Sequence, residues 1–235
     1  MVLVALHPVT QDPSCWQWLS QTIDIAPELP RPLFGKRILE SFTLEDLADD
    51  VARRIPEPAD VVGVAMGSLV AQHLALRHPD KVRSLVLACA PARMMDGQAY
   101  AGRAVSGLLL GMDSVVDETL HRWFSPETLS RNTPGVAYAR QRLRTFSPAV
   151  FARVWVAVAG HRPGSGLSAI DCPTTVVSGK YDVSAPPDEL REMHTLISGS
   201  RFLSLDGPHM MHLERPDLLS GAIDGHLQWA ASILR

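Results

Sequence analysis

The sequence predicts an α/β domain: a mostly parallel sheet of about six strands, helices on both faces, and one long helical insertion. Three observations predict it. Short apolar runs, fit for strands buried on both faces, alternate with helix-like segments. The alternation stops once, from residue 92 to residue 171, where no strand pattern is visible. It then resumes and runs to the C-terminus. The expected division is a core of residues 1–91 and 172–235, with residues 92–171 as a helical lid over the C-terminal edge of the sheet.

The elements follow in order. Residues 2–6 (VLVAL) are the first apolar run. A short helix over 13–21 comes next, then a weak second strand at 23–25. Residues 27–35 contain Pro27, Pro30 and Pro32 and read as loop. Thr43 is placed to cap a helix, with Asp46 three residues on as in a capping box. Leu44, Leu47 and Val51 give that helix its spacing. Residues 60–65 (DVVGVA) are a buried strand and 66–77 a helix. His78, Pro79 and Asp80 turn the chain into a further buried strand over 82–90, bounded by Pro91. Within the insertion, segments at 108–110, 115–120 and 150–158 read as helices joined by proline or glycine turns. Residues 174–178 and 201–205 are two more strands, with a helix over 187–196 between them. A helix over 215–234 closes the chain, with Pro216 tolerated in its first turn.

Composition narrows the function classes. At 235 residues the chain suits one large domain, and 46% hydrophobic with 20% charged residues is ordinary for a globular protein. A net charge of -3, with no run of like charges, argues against a nucleic-acid surface, which needs a basic stripe. No apolar run is long enough for a membrane span. The start MVLVALHP lacks the basic region and cleavage site of a signal peptide. Cys15, Cys89 and Cys172 are an odd count with no CxxC spacing, which fits free thiols in a reducing compartment. Cytoplasmic location is the expectation.

The chemistry concentrates in VVGVAMGS, residues 61–68. Strand, then Gly-x-Ala-x-Gly, then helix has the outline of the G-x-S-x-G nucleophile elbow. The residue between the glycines sits on a sharp turn, where a Cβ at Gly63 or Gly67 would meet the neighbouring strand or helix. A plain strand-to-helix connection is the other reading of these glycines. Two later features favour the elbow. One strand ends in Asp182 before a proline-rich turn, and the last strand ends in His209 before a helix. Nucleophile position, acid, histidine is the chain order such sites use.

With these residues in view, the chain resembles the α/β-hydrolase superfamily, and within it the 3-oxoadipate enol-lactonases and related small esterases. The matching stretches are VGVAMGSLVAQHLALRHPDKVRSLVLACAPA (62–92), LHRWFSPE (120–127), Asp182, and GPHMMHLERPD (207–217). The resemblance implies hydrolysis of a small-molecule ester, lactone or related acyl substrate, without cofactor or metal. Asp182 would orient and His209 would act as base. The backbone N–H groups of Met66 and Val9 would form the oxyanion hole. Pro8, Trp123, Trp155 and Met210 would contact substrate. Three departures stand out. Ala65 occupies the family's serine position, His7-Pro8 replaces a His-Gly, and the first strand here is the one before the oxyanion loop, so that two strands usual in the family do not precede it. As written, the chain is expected to be inactive or strongly impaired in hydrolysis. Ala65 is either an engineered serine replacement or the native residue. A native Ala65 would suit a cyclase, lyase or decarboxylase run by His209 and Asp182. A non-catalytic small-molecule binding protein is a third reading.

Other residues have plainer readings. Ser68 faces helix packing. His7 reads as a structural histidine of the oxyanion loop. His209 and His212 lack an apparent third ligand for a metal. His73, His78 and His226 fit helix surfaces or ends. Met94, Met95, Met210 and Met211 flank the expected cleft mouth. Arg122, Arg140, Arg142 and Arg144 put cations in the lid, one of which could pair with a substrate carboxylate. A sheet edge left uncovered at the first strand would invite a homodimer.

Overall fold

In the computed structural model, which describes residues 2–30, 41–94 and 97–234, the apolar runs become five parallel strands. These are β1 (Leu3–Leu6), β2 (Ala59–Val64), β3 (Val82–Ala88), β4 (Thr174–Gly179) and β5 (Arg201–Leu205). They pair in chain order, each with the next. β1, β2 and β4 are buried throughout, which is why their sequences show no polar alternation. The strand expected at 23–25 is reduced to a single bridge between Ile25 and Val4. Asp24 and Ile25 donate their N–H groups to the Leu3 carbonyl along the β1 edge. Pro27, which has no N–H, follows too closely for the ladder to extend.

The helix expected over 13–21 is a 3-10 turn at Pro13–Trp18, capped by Asp12, whose Oδ1 accepts from the Ser14 N–H. Helix α1 (Leu44–Ala52) opens with the anticipated capping box: Thr43 Oγ1 accepts from Asp46 N–H, and Asp46 accepts from Thr43 N–H. Helix α2 is Met66–Arg77. Between β3 and β4 the described residues contain no strand. They form α3 (Gly97–Leu110), α4 (Asp113–Trp123), α5 (Pro126–Arg131), α6 (Pro134–Thr145) and α7 (Pro148–Ala159). The last three start on a proline in the first turn, where its missing N–H costs nothing. Ser125 and Ser147 cap α5 and α7. The closing elements are α8 (Pro187–Leu196), α9 (Met211–Glu214) and α10 (Pro216–Ile233).

Every step from one strand to the next runs in the same direction. Right-handed connections then put α1, α2 and α8 on one face of the sheet. Helix α10, after the last strand, packs on β3, β4 and β5 from the other. The five inserted helices are tied to the loops at the C-terminal strand ends. The Tyr138 hydroxyl donates to Asp12 Oδ1 at 3.1 Å, Arg142 Nε donates to Thr10 O at 3.2 Å, and Met210 N–H donates to the Trp123 carbonyl at 3.0 Å. Among the described residues no helix is long and apolar enough to cross a membrane.

Candidate active site

The elbow forms where β2 meets α2. Ala65 is there with φ 50° and ψ -119°, a conformation that side chains with a Cβ rarely adopt. Its two glycine neighbours have no room for a side chain. A Cβ on Gly63 would come to 2.5 Å from the Gly67 carbonyl oxygen, and one on Gly67 to 1.9 Å from the Leu6 carbonyl oxygen. The turn is tied to the sheet by Ala65 N–H donating to Ala88 O at 2.9 Å. Met66 opens α2, so its N–H is one of the donors a helix leaves without an internal partner. Ser68 is fully buried, does not line the cavity, and its hydroxyl has no partner among the described residues.

Asp182 follows β4 in a tight loop. Its Oδ1 accepts from the N–H groups of Ser184 and Ala185, both at 2.8 Å. Its Oδ2 accepts from His209 Nδ1 at 2.8 Å. Both residues are buried, with exposures of 3% and 7%. The β4 and β5 loops can lie this close because Gly179 has no Cβ, which would sit 2.6 Å from the Gly207 carbonyl oxygen. Asp182 therefore holds one imidazole tautomer, with Nδ1 protonated and Nε2 left as the basic nitrogen.

A small cavity opens over this pair. Its floor includes Ala65, Met66, Val9 and His209. Its roof comes from the inserted helices, with Tyr100 and Arg103 of α3, Arg122 and Trp123 of α4, and Trp155 and Val158 of α7. The structure thus brings Ala65, Met66, Val9, His209, Trp123, Trp155 and Met94 to one space, with Asp182 directly behind His209. Two of the sequence-derived site residues are not part of it. The Pro8 ring does not line the cavity, although its carbonyl accepts from His7 Nδ1 at 2.8 Å. Met210 is fully buried behind the loop, its sulfur accepting from Gln11 Nε2 at 3.3 Å. Each adjoins a residue that lines the cavity, Val9 and His209, while its own side chain does not. Met95 lies outside the described residues.

Buried histidines brace the loop that follows β1. His7 donates from Nδ1 to Pro8 O, and its Nε2 accepts from Leu29 N–H at 2.9 Å, an arrangement only the neutral ring can make. Burial lowers its pKa to about 4. His212 donates from Nε2 to Gln11 Oε1 at 2.8 Å, and burial brings its pKa down to about 3. It braces this loop rather than sharing a ligand set with His209, and the described residues contain no metal-binding cluster. Cys89 follows β3 with φ 54° and lines the cavity. Burial, then the charge of Asp182, pushes its thiol well above the usual range, so it stays protonated and is no substitute nucleophile.

Sequence reasoning missed Tyr100 and Arg103. Tyr100 stacks on Trp155 with ring centroids 5.6 Å apart and an interplanar angle of 9°. The Arg103 guanidinium lies 5.0 Å from the Tyr100 ring centre and 5.1 Å from that of Trp155. Their three-residue spacing on one helix is the signal the sequence carries for them.

Residues 25–216 match the profile of the alpha/beta hydrolase fold family. A pimeloyl-[acyl-carrier protein] methyl ester esterase from Neisseria meningitidis is 30% identical over 74% of this chain and 73% of its own. Matches to further esterases of that name span 64% and 62% of those chains. A 3-oxoadipate enol-lactonase from Acinetobacter baylyi is 23% identical over 78% of this chain and 70% of its own. The crystal structure of the enol-lactonase from Burkholderia xenovorans superposes with a TM-score of 0.86, covering 97% of this chain and 91% of that one at 25% identity. With the profile spanning most of its length, the chain belongs to the α/β-hydrolase fold family.

Proposed function

We propose that this chain carries the binding and acid–base apparatus of an ester- or lactone-cleaving enzyme, with Ala65 standing at the nucleophile position. One observation carries the reading: a buried His209–Asp182 pair opens on the same cavity as a residue held at positive φ between two obligatory glycines. The esterases and lactonases among its relatives support it. With a hydroxyl at position 65, His209 Nε2 would take its proton and Asp182 would stabilise the resulting imidazolium. The N–H groups of Met66 and Val9 would receive the developing oxyanion, and water would release the acyl-enzyme. Residues 92–171 serve as the lid, and residues 1–91 with 172–235 as the core. Free thiols at Cys15, Cys89 and Cys172 support a cytoplasmic setting.

Ala65 closes the covalent route. Ala65→Ser is the test, assayed on aryl esters and enol lactones. Loss of a triad serine costs on the order of a million-fold in kcat, so a gain of several orders of magnitude is expected. A folded Ala65→Ser protein that leaves both substrate types intact overturns the reading. A second reading has its own support: Asp182 engages both oxygens and fixes His209, although residue 65 has no proton to give. It makes the pair a general base for a non-hydrolytic step such as lyase or decarboxylase chemistry. It requires turnover by the chain as it stands, abolished by His209→Ala. Ligand affinity without turnover, unchanged in that variant, would leave only a binding role.

A further inference from the structure

The loop after β4 brings into the cavity a hydroxyl that the Asp182–His209 pair does not use. Ser184 gives its main-chain N–H to Asp182 Oδ1 at 2.8 Å, and Ala185 gives a second at the same distance. The aspartate therefore shapes the turn with its own side chain, and the serine hydroxyl takes no part in it. Ser184 Oγ is buried and has no hydrogen-bond partner among the described residues. The hydroxyls of Thr10, Ser68 and Thr133 are buried without partners too. None of those three residues lines the cavity, whereas Ser184 does. A buried hydroxyl is costly until a partner arrives, and alanine would fill the position without that cost. Strand order fixes which part of a ligand Ser184 would meet. Val9 follows β1, the elbow follows β2 and Ser184 follows β4, in a sheet ordered β1 to β5. Ser184 thus stands on the far side of the elbow from Val9. The Asp182 carboxylate, bonded to the Ser184 N–H, puts a negative charge beside it and opposes an anion there.

We infer that Ser184 Oγ is a specificity contact: it bonds a neutral hydroxyl of the ligand, carried on the arm that points away from Val9. As to substrate, this rests on the ester- or lactone-cleaving reading and makes the substrate a hydroxylated ester or lactone. A serine hydroxyl donates one bond and accepts others, and a second hydroxyl can answer it in either sense. A site built around such a bond discriminates against the analogue that lacks the hydroxyl, because its own buried group is then left unpaired.

The chain as it stands permits a binding test without covalent turnover. Calorimetry would compare ethyl butyrate with both enantiomers of ethyl 3-hydroxybutyrate, hydroxylated on the acyl arm, and with 2-hydroxyethyl butyrate, hydroxylated on the alcohol arm. A hydroxylated ester should bind about tenfold more tightly than ethyl butyrate. Ser184→Ala should bring that ratio close to one, and Ser184→Thr, which keeps the hydroxyl, should retain part of it. The alanine variant leaves the main-chain N–H to Asp182 in place, and it deletes a group with no partner, so its urea midpoint should stay the same or rise. Equal affinity for all the esters, a preference that survives Ser184→Ala, or a clear loss of stability in that variant overturns the contact. The last outcome would mean that the hydroxyl is already bonded within the fold. The two readings separate in Ala65→Ser: preference without ester cleavage leaves the contact and removes the hydrolase, and cleavage without preference does the reverse.

Discussion

On the floor of the cavity both oxygens of Asp182 and the Nδ1 of His209 are partnered, and the elbow is held by backbone contacts that leave no space for a methyl group. On the roof, Arg122 Nε and Trp155 Nε1 have no partner, and a glycine there faces a side chain instead of the main chain. The pair and the elbow are thus set by fixed contacts at the strand ends, as preorganised chemistry requires, whereas the inserted helices carry two nitrogens left without a partner.

The largest effect that would sharpen this contrast is acid sensitivity, which should originate in the sheet half. Burial lowers the pKa of His7 and His226 to about 4 and of His212 to about 3, from 6.5; His161, which follows α7 but bonds to Gln72 of α2, also falls to about 3. His121, on the roof, is exposed. A folded-state pKa below the unfolded one means the unfolded chain takes up protons first as pH falls. Stability is therefore fully present above pH 6.5 and lost toward pH 4, by about 1.4 kcal/mol per pH unit for each histidine kept neutral. Urea unfolding followed from pH 7 to pH 4 should show this, with several kcal/mol lost in all. A flat profile would mean these rings are already solvated in the native protein.

Glycine substitutions give the next effect. Gly67→Ala drives a Cβ into the Leu6 main chain and should cost about 3 kcal/mol or more. Gly107→Ala on α3 meets the Phe151 ring at 2.6 Å. A ring can shift, and alanine favours the helix, so its net change should stay within about 1 kcal/mol. Equal losses in denaturant midpoint would erase the difference between floor and roof.

The smallest effect concerns Ala65 itself. Its positive φ costs energy that glycine would not pay, so Ala65→Gly should raise stability by about 1 kcal/mol after loss of the buried methyl. A lower melting temperature would show that the turn is unstrained.

Much of this was legible in the sequence because it rests on local chemistry. The runs that became β2 to β5, the capping box at Thr43 and Asp46, and helices α2 and α8 are set by apolar period, cap residues and proline. Ala65, Asp182 and His209 could be read because each follows the end of a strand, and strand ends of a parallel sheet share one edge. Side-chain direction was not legible. Pro8 and Met210 sit beside site residues yet turn elsewhere. The roof was least legible of all, since Tyr100, Arg103, Arg122 and Trp155 meet only through the packing of three helices, which no local pattern encodes.

The stack of Arg103, Tyr100 and Trp155 has an optical consequence. Indole emission responds to a charge held over the ring, and this guanidinium lies 5.1 Å from the Trp155 ring centre. Any guest that draws the arginine away, or neutralises it in place, changes the field felt by the excited state. The protein carries an intrinsic fluorophore in the wall of this cavity, so that occupancy would be followed without a label or a reaction.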